Sequence, residues 1–228
     1  TASSYLTNLT DVEIEMDGIG PQLDLLNQSK TFGNLRSLVL EVVPSDDDES
    51  GELDWGAFFN GMNFSNLRSL VTRYSTITSK HLKQLANNPS LVTLEALVTL
   101  VRSPYLRQLR SLRIYGNSLG DEGISTIAKS ATFEKLREIQ FDSNGISPKG
   151  IAILAEHPMF AELETLSLDF SDVTNDGAVA LAESTTLTNL RQLSLMSCGI
   201  GAKGFKALFS SPVLQSVKKL DIRYNKFS

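Results

Sequence analysis

Leu109, Leu136, Leu163, Leu190 and Val217 stand 27 residues apart, and each opens the same pattern. The five segments read LRSLRIYGNSL, LREIQFDSNGI, LETLSLDFSDV, LRQLSLMSCGI and VKKLDIRYNKF. Apolar residues fall at positions 1, 4, 6 and 11, and position 9 holds Asn117, Asn144, Ser171, Cys198 and Asn225. A unit this short cannot bury its own apolar face, so a constant period forces the units to stack into one continuous core. The back half is as regular. Gly123, Gly150, Gly177 and Gly204 are followed by Ile124, Ile151, Ala178 and Phe205, and three residues later by Ile127, Leu154, Leu181 and Leu208. Ala128, Ala155, Ala182 and Phe209 come next. Spacing of i, i+3, i+4 is one face of a helix. Ser147-Pro148 and Thr174-Asn175 read as helix starts with a capping hydroxyl, and Pro158 and Pro212 read as stops. The repeated glycines serve packing. The position-9 side chain is expected to turn inward and hydrogen-bond neighbouring loop backbone, which makes Cys198 a ladder residue rather than a nucleophile.

Looser copies open at Leu9, Leu35 and Leu67. The step from Leu35 to Leu67 is 32 residues, and the surplus coincides with the polar acidic run PSDDDESG at 44–51. That run reads as a solvated loop, because a calcium loop needs ligands at set intervals around a glycine. The step from Leu67 to Leu109 is 42 residues, with Leu97, Leu100 and Val101 in the helix slots of Ile124, Ile127 and Ala128. This irregular unit, 91–108, either carries a strand at 91–95 running almost directly into a helix or lacks residues. Both readings predict a break in the stack around 88–104. A single domain over 1–228 would then hold units from 9, 35, 67, 109, 136, 163, 190 and a partial one from 217, beside the irregular one. Nine strands would make a sheet roughly 38 Å wide.

Composition narrows the chemistry. There are 34 leucines but one cysteine and two histidines. No disulfide framework, cysteine zinc site or multi-histidine metal centre fits such a chain, and no metal or cofactor is expected. Net charge −5 and pI near 5.1 argue against nucleic acid as a partner. No apolar run reaches the ~18 residues of a membrane span. Thr1 is not followed by a basic and apolar leader, and a cytoplasmic protein is the expectation. The sequence ends shortly after Asn225 without a closing helix, and neither end reads as a polar cap. A fragment, or self-association through uncapped ends, is the reading of that. His81 takes the slot of the repeated glycine, and His157 precedes Pro158, where it can cap a carbonyl. Neither accompanies a plausible nucleophile, so the chain reads as non-enzymatic.

These units resemble leucine-rich repeats of the ribonuclease-inhibitor-like class. GNSLGDEG at 116–123 and SPYL at 103–106 look most like bacterial members. The resemblance is strong over 109–228 and looser upstream. It implies an α/β solenoid, or horseshoe, with a parallel β-sheet on the concave face and helices on the convex face. It also implies a ligand-binding scaffold, since members include inhibitors, innate sensors and a GTPase-activating protein.

Positions 3, 5, 7 and 8 should point away from the core, onto the concave face. The candidate partner-binding residues there are Glu13, Glu15, Glu41, Arg73, Tyr74, Arg113, Tyr115, Gln140, Asp142, Asp169, Phe170, Met196, Arg223 and Tyr224. Their signs alternate along the sheet, which suits a protein surface better than a polyanion. Arg73, Tyr74, Arg113 and Tyr115 are the residue types that dominate protein–protein hot spots. Asp142 and Asp169 could approach each other on neighbouring strands, but acid–base work would need a pocket that raises one pKa. The reading is a scaffold binding another protein. The alternatives are an inhibitor or immunity-type protein blocking a basic enzyme, with the acidic first strands facing it, and more remotely a GTPase-activating regulator.

Overall fold

The structure is a computed structural model, and it describes residues 9–17, 33–43, 64–74, 97, 101–102 and 106–226. The acidic run at 44–51, His81, Leu100 and the 91–95 segment lie outside these residues. Eight parallel strands form one open sheet in chain order. They are β1 Asp11–Asp17, β2 Ser37–Val43, β3 Ser69–Tyr74, β4 Ser111–Ile114, β5 Glu138–Gln140, β6 Thr165–Ser167, β7 Gln192–Ser194 and β8 Lys219–Asp221. The helices are α1 Gly120–Ala128, α2 Pro148–Glu156, α3 Thr174–Ala182, α4 Ala202–Phe209 and the short α5 Pro212–Ser216. The fold is a leucine-rich-repeat solenoid, as the period predicts.

The stacking rule is visible in the backbone. At each junction the position-2 carbonyl accepts two successive N–H groups of the next unit. Arg110 O takes Arg137 N and Glu138 N at 2.8 and 2.9 Å, and Arg137 O takes Glu164 N and Thr165 N at 2.8 and 3.0 Å. This pins every strand in the same register, so Leu112, Ile139, Leu166 and Leu193 form one row. The first three of these are fully buried. Ile114, Phe141, Leu168 and Leu195 make a second buried row. The helices close the core from the other side with Ile124, Ile127, Ile151, Leu154, Ala178 and Leu181. Burying each large aliphatic side chain contributes about 1.5–3 kcal/mol.

The nine-strand expectation becomes eight among the described residues. Ser69 pairs with Ser111 and Leu70 with Leu112, so no strand from the intervening segment lies between β3 and β4. The expected break around 88–104 is not in the sheet, which runs straight past it. Leu97 and Val101 are helical and buried. A Cβ added at Gly123 would lie 3.6 Å from Leu97 Cδ2, so Leu97 packs on the next helix, as Ile151 does against Gly177 two units later. Among the described residues the surplus adds no strand to the sheet between β3 and β4.

Helix starts needed correction too. Ser147 caps α2 as expected, accepting from Lys149 N at 3.2 Å. Thr174 caps nothing: it sits inside α3 with φ +56°, and the preceding Val173 makes no side-chain cap. The work passes instead between units. Asp121 of α1 accepts Ser147 N at 2.9 Å and Ser147 Oγ at 2.6 Å. Asn175 of α3 accepts Gly201 N and Gly204 N, both at 2.9 Å, at the start of α4. Such close approach needs glycine, since a Cβ at Gly150 would stand 2.5 Å from Asp121 Oδ1. Pro158 and Pro212 do more than stop helices. Each opens a short helix of its own, Pro158–Phe160 and Pro212–Ser216. His157 caps the first of these by accepting Met159 N at 3.2 Å on Nδ1, not by donating to a carbonyl.

Candidate binding face

Strand alternation sends positions 3 and 5 to the concave side, and the register sets them in columns. Arg113 on β4 lies beside Gln140 on β5, and Gln140 beside Ser167 on β6. Arg113 donates from Nε at 2.9 Å and from Nη2 at 2.8 Å to one oxygen of Glu138. Gln140 Nε2 donates to that same oxygen at 2.5 Å. The Tyr115 hydroxyl donates to Gln140 Oε1. Three predicted residues, Arg113, Tyr115 and Gln140, thus form one braced polar lattice with Glu138. Arg113 keeps 38% of its side chain in solvent, so the lattice remains open to a partner.

Two predicted carboxylates also tie the stack together. Asp142 Oδ1 accepts the Ser167 hydroxyl at 2.6 Å and Asp169 N at 2.9 Å. Asp169 Oδ1 repeats this one unit on, with Ser194 Oγ at 2.6 Å and Met196 N at 2.8 Å. Each aspartate ties its unit to the next rather than pairing for acid–base work. Burial pushes the Asp142 carboxyl above its ordinary value, against the lowering effect of those two hydrogen bonds. Among the described residues neither serine hydrogen-bonds an imidazole. Cys198 is buried, and burial pushes its thiol up to about 12, so thiolate chemistry is suppressed at neutral pH.

Position 8 was expected to behave like a strand residue. It is a corner instead. Gly116, Ser143, Phe170, Ser197 and Tyr224 all have left-handed backbones, with φ between 54° and 67°. Phe170 and Tyr224 are the exceptions in size, and they are exposed by 57% and 76%. Met196 is half-buried between them in the chain's order of units. Arg223 is spent on its own strand: it donates from Nε at 2.9 and 3.1 Å and from Nη2 at 2.6 Å to Asp221, whose carboxyl it holds below the ordinary value. Glu13 is exposed on β1 and Glu41 half-buried on β2. Glu15, Arg73 and Tyr74 are placed by register, Glu15 opposite Glu41, Glu41 opposite Arg73, and Tyr74 opposite Val42. Thr72 pairs with Ile114, which puts Arg73 and Tyr115 at the next step of neighbouring strands.

A trough of about 480 Å³ crosses the face from β5 to β8, floored by Thr165, Ser167 and Ser194 and flanked by Gln140, Gln192 and Lys219. Ser167 and Ser194 sit at position 5, on the expected face, but sequence reasoning missed that their hydroxyls meet the position-7 aspartates of the preceding unit. It also missed the cationic position-2 row at the sheet's N-terminal rim, which extending the period to that column would have found. Among the described residues no group of three His, Cys, Asp or Glu side chains could hold a metal, and no helix is long and apolar enough to cross a membrane.

The Leucine Rich repeat family model matches residues 105–128, 163–182 and 186–209, so the chain carries leucine-rich repeats. No curated protein matches the sequence. Among solved structures, a chain in the crystal structure of the Rad7 and Elc1 complex in yeast is similar, at 18% identity and a TM-score of 0.49. The match covers 95% of this chain and 63% of that one, so this chain spans less than two thirds of its length.

Proposed function

We propose that this leucine-rich-repeat chain is a non-enzymatic scaffold that binds another protein across its concave face. The observation that carries the reading is the braced lattice of Arg113, Glu138, Gln140 and Tyr115. Its side chains are already held in place, so a partner meets a surface whose ordering cost is largely met before binding. Arginine and tyrosine at the centre of a sheet are residue types that anchor protein interfaces. Repeats of this kind generally mediate protein–protein contact, which supports the same conclusion. The ribonuclease-inhibitor-like subclass and a bacterial source belong to this reading through the resemblance of the repeat.

The test compares the intact chain with the double truncation Arg113→Ala/Tyr115→Ala as bait in the native host's extract. A genuine partner is captured by the former, and its affinity for the latter falls by about 2 kcal/mol or more. Unchanged affinity of every captured protein would sink the reading. An inhibitor-type role is favoured by one observation, the acidic Glu13 and Glu41 on the first two strands. It predicts a basic partner whose association rate falls steeply with added salt.

A further inference from the structure

Position 2 of each unit lies at the N-terminal rim of the sheet. From the second unit onward it reads Arg36, Arg68, Arg110 and Arg137, and then Glu164 reverses the sign. Arg68 N donates to Arg36 O and Arg110 N to Arg68 O, both at 2.8 Å, so these backbones are immediate neighbours. Arg36, Arg68 and Arg110 are exposed, and their guanidiniums have no hydrogen bond or ion pair among the described residues. Arg137 differs, being paired with Glu162 at 3.3 Å. Like charges side by side on adjacent strands destabilise a sheet, and exposed side chains bury little in return. The row is thus a cost to the fold that a ligand of opposite charge would remove. Next to it lies a cavity of about 380 Å³ lined by Thr10, Asn34, Arg36, Asn66 and Arg68. Its walls are held by Asn66 donating to Gly33 O at 2.6 Å and by Thr10 donating to Asp11 at 2.7 Å. In the first unit position 2 is the neutral Thr10, so the cationic run begins at Arg36.

We propose that this rim binds a small polyphosphate anion, two or three linked phosphate groups seated against Arg36 and Arg68 and reaching Arg110. Guanidinium forks grip phosphate oxygens two at a time. Three such forks stand within about 10 Å across the strands. Linked phosphates carry several charges in a body that compact. Acidic side chains on one face of an extended peptide recur only about every 7 Å, so they match the row poorly. The site is on the sheet's rim rather than its concave face, and it stands or falls independently of the scaffold reading.

Calorimetric titration of inorganic tripolyphosphate into the full chain at low ionic strength tests it. One site is expected, with orthophosphate weaker by about tenfold or more. Arg68→Gln, an exposed change that leaves the core intact, should weaken tripolyphosphate about tenfold, the worth of one charge-assisted fork. Arg68→Lys should recover only part of that loss, because the charge returns without the fork. Arg191→Gln, beyond Glu164, should leave binding unchanged. The proposal is overturned if tripolyphosphate does not bind, or if Arg191→Gln weakens it as much as Arg68→Gln. It is equally overturned if a hexaglutamate peptide or a single-stranded oligothymidylate binds as tightly as tripolyphosphate.

Discussion

Behind the strand ends, asparagines tie two junctions of the solenoid, and on the concave side aspartates tie the two between them. Asn144 Oδ1 accepts Asn117 N at 3.1 Å and Leu119 N at 3.4 Å, while its Nδ2 donates to Ile114 O at 2.7 Å and Asp142 O at 3.1 Å. Asn225 does the same at the far end, accepting Cys198 N and Ile200 N at 2.9 and 3.0 Å and donating to Leu195 O at 2.6 Å. In the middle units position 9 is Ser171 and Cys198, both too short for that span. The Ser171 hydroxyl is buried with no partner, and Cys198 reaches only Leu168 O at 3.1 Å among carbonyls of the preceding unit. There the tie moves to the concave side, where Asp142 and Asp169 hold the next unit's serine and amide. One repeat therefore closes its junctions in two ways, deep behind the strand ends or out on the binding face. The second way places charge on the proposed binding face, as the Arg113–Glu138 pair also does between β4 and β5, so stability and recognition share atoms there.

Removing a deep tie should do the most damage. Asn144→Ala leaves the Asn117 and Leu119 N–H groups without their acceptor in a fully buried place and takes one donor from Ile114 O and one from Asp142 O, which keeps Gly116 N at 3.0 Å, and should cost about 3–5 kcal/mol in urea unfolding. Ser171→Ala removes a hydroxyl that bonds to nothing and should change stability by less than about 0.5 kcal/mol. Equal losses for the two would end the distinction between the junctions.

Rebuilding the missing tie is the converse. The Asn144 and Ile146 N–H groups correspond to those that Asn144 satisfies one unit earlier, and they make no hydrogen bond. Ser171→Asn carries an amide into their reach and should raise stability by about 1–2 kcal/mol. A drop in the thermal midpoint would mean that the middle junction is closed too tightly to take an asparagine.

A pH scan separates the aspartate tie from the asparagine tie. Asp142 titrates above its ordinary 3.8 because burial penalises the charge. For a carboxyl raised in this way the favourable contribution belongs to the protonated form. It is fully present below the unfolded value and is lost as pH rises through the folded one. Asp142→Asn keeps an oxygen for Ser167 and Asp169 and removes the charge. The variant should match the parent at pH 3 and become the more stable of the two as pH rises past the Asp142 titration. Its gain should be smaller than that of Ser171→Asn. A constant gap between variant and parent across the scan would show that burial of this carboxylate is not costly.

Much of this was legible in the 27-residue spacing. Strand rows, helix faces and the position-9 rung follow from apolar periodicity, which needs no knowledge of neighbours. The ties across units were not legible, because they join columns that a single unit does not reveal. The Asp142–Ser167 bond links position 7 of one unit to position 5 of the next. The braced Arg113 and Tyr115 lie where the sequence placed them, but their partners Glu138 and Gln140 come from the following strand. The long unit from Leu67 misled for a related reason. Leu97 fills a helix slot, yet spacing alone could not say whether a strand came with it, and only the direct pairing of β3 with β4 decides that.

The smallest effect tests whether the face is built for binding at the expense of the fold. Five units share a left-handed corner at position 8, where three carry Gly116, Ser143 and Ser197 and two carry the exposed aromatics Phe170 and Tyr224. A side chain with a Cβ is strained in that conformation, and a bulky one left in solvent returns almost nothing. Phe170→Gly should therefore stabilise the chain by about 0.5–1 kcal/mol, visible as a higher urea midpoint with an unchanged slope. The same variant should bind the captured partner more weakly than the parent does, since an exposed aromatic at the strand end is a natural anchor. Gain of stability with loss of affinity would mean that Phe170 is kept for recognition, in the region where the aspartate ties already bring the two demands together. A loss of stability would show instead that the ring packs on its corner and that the strain there is offset within the fold.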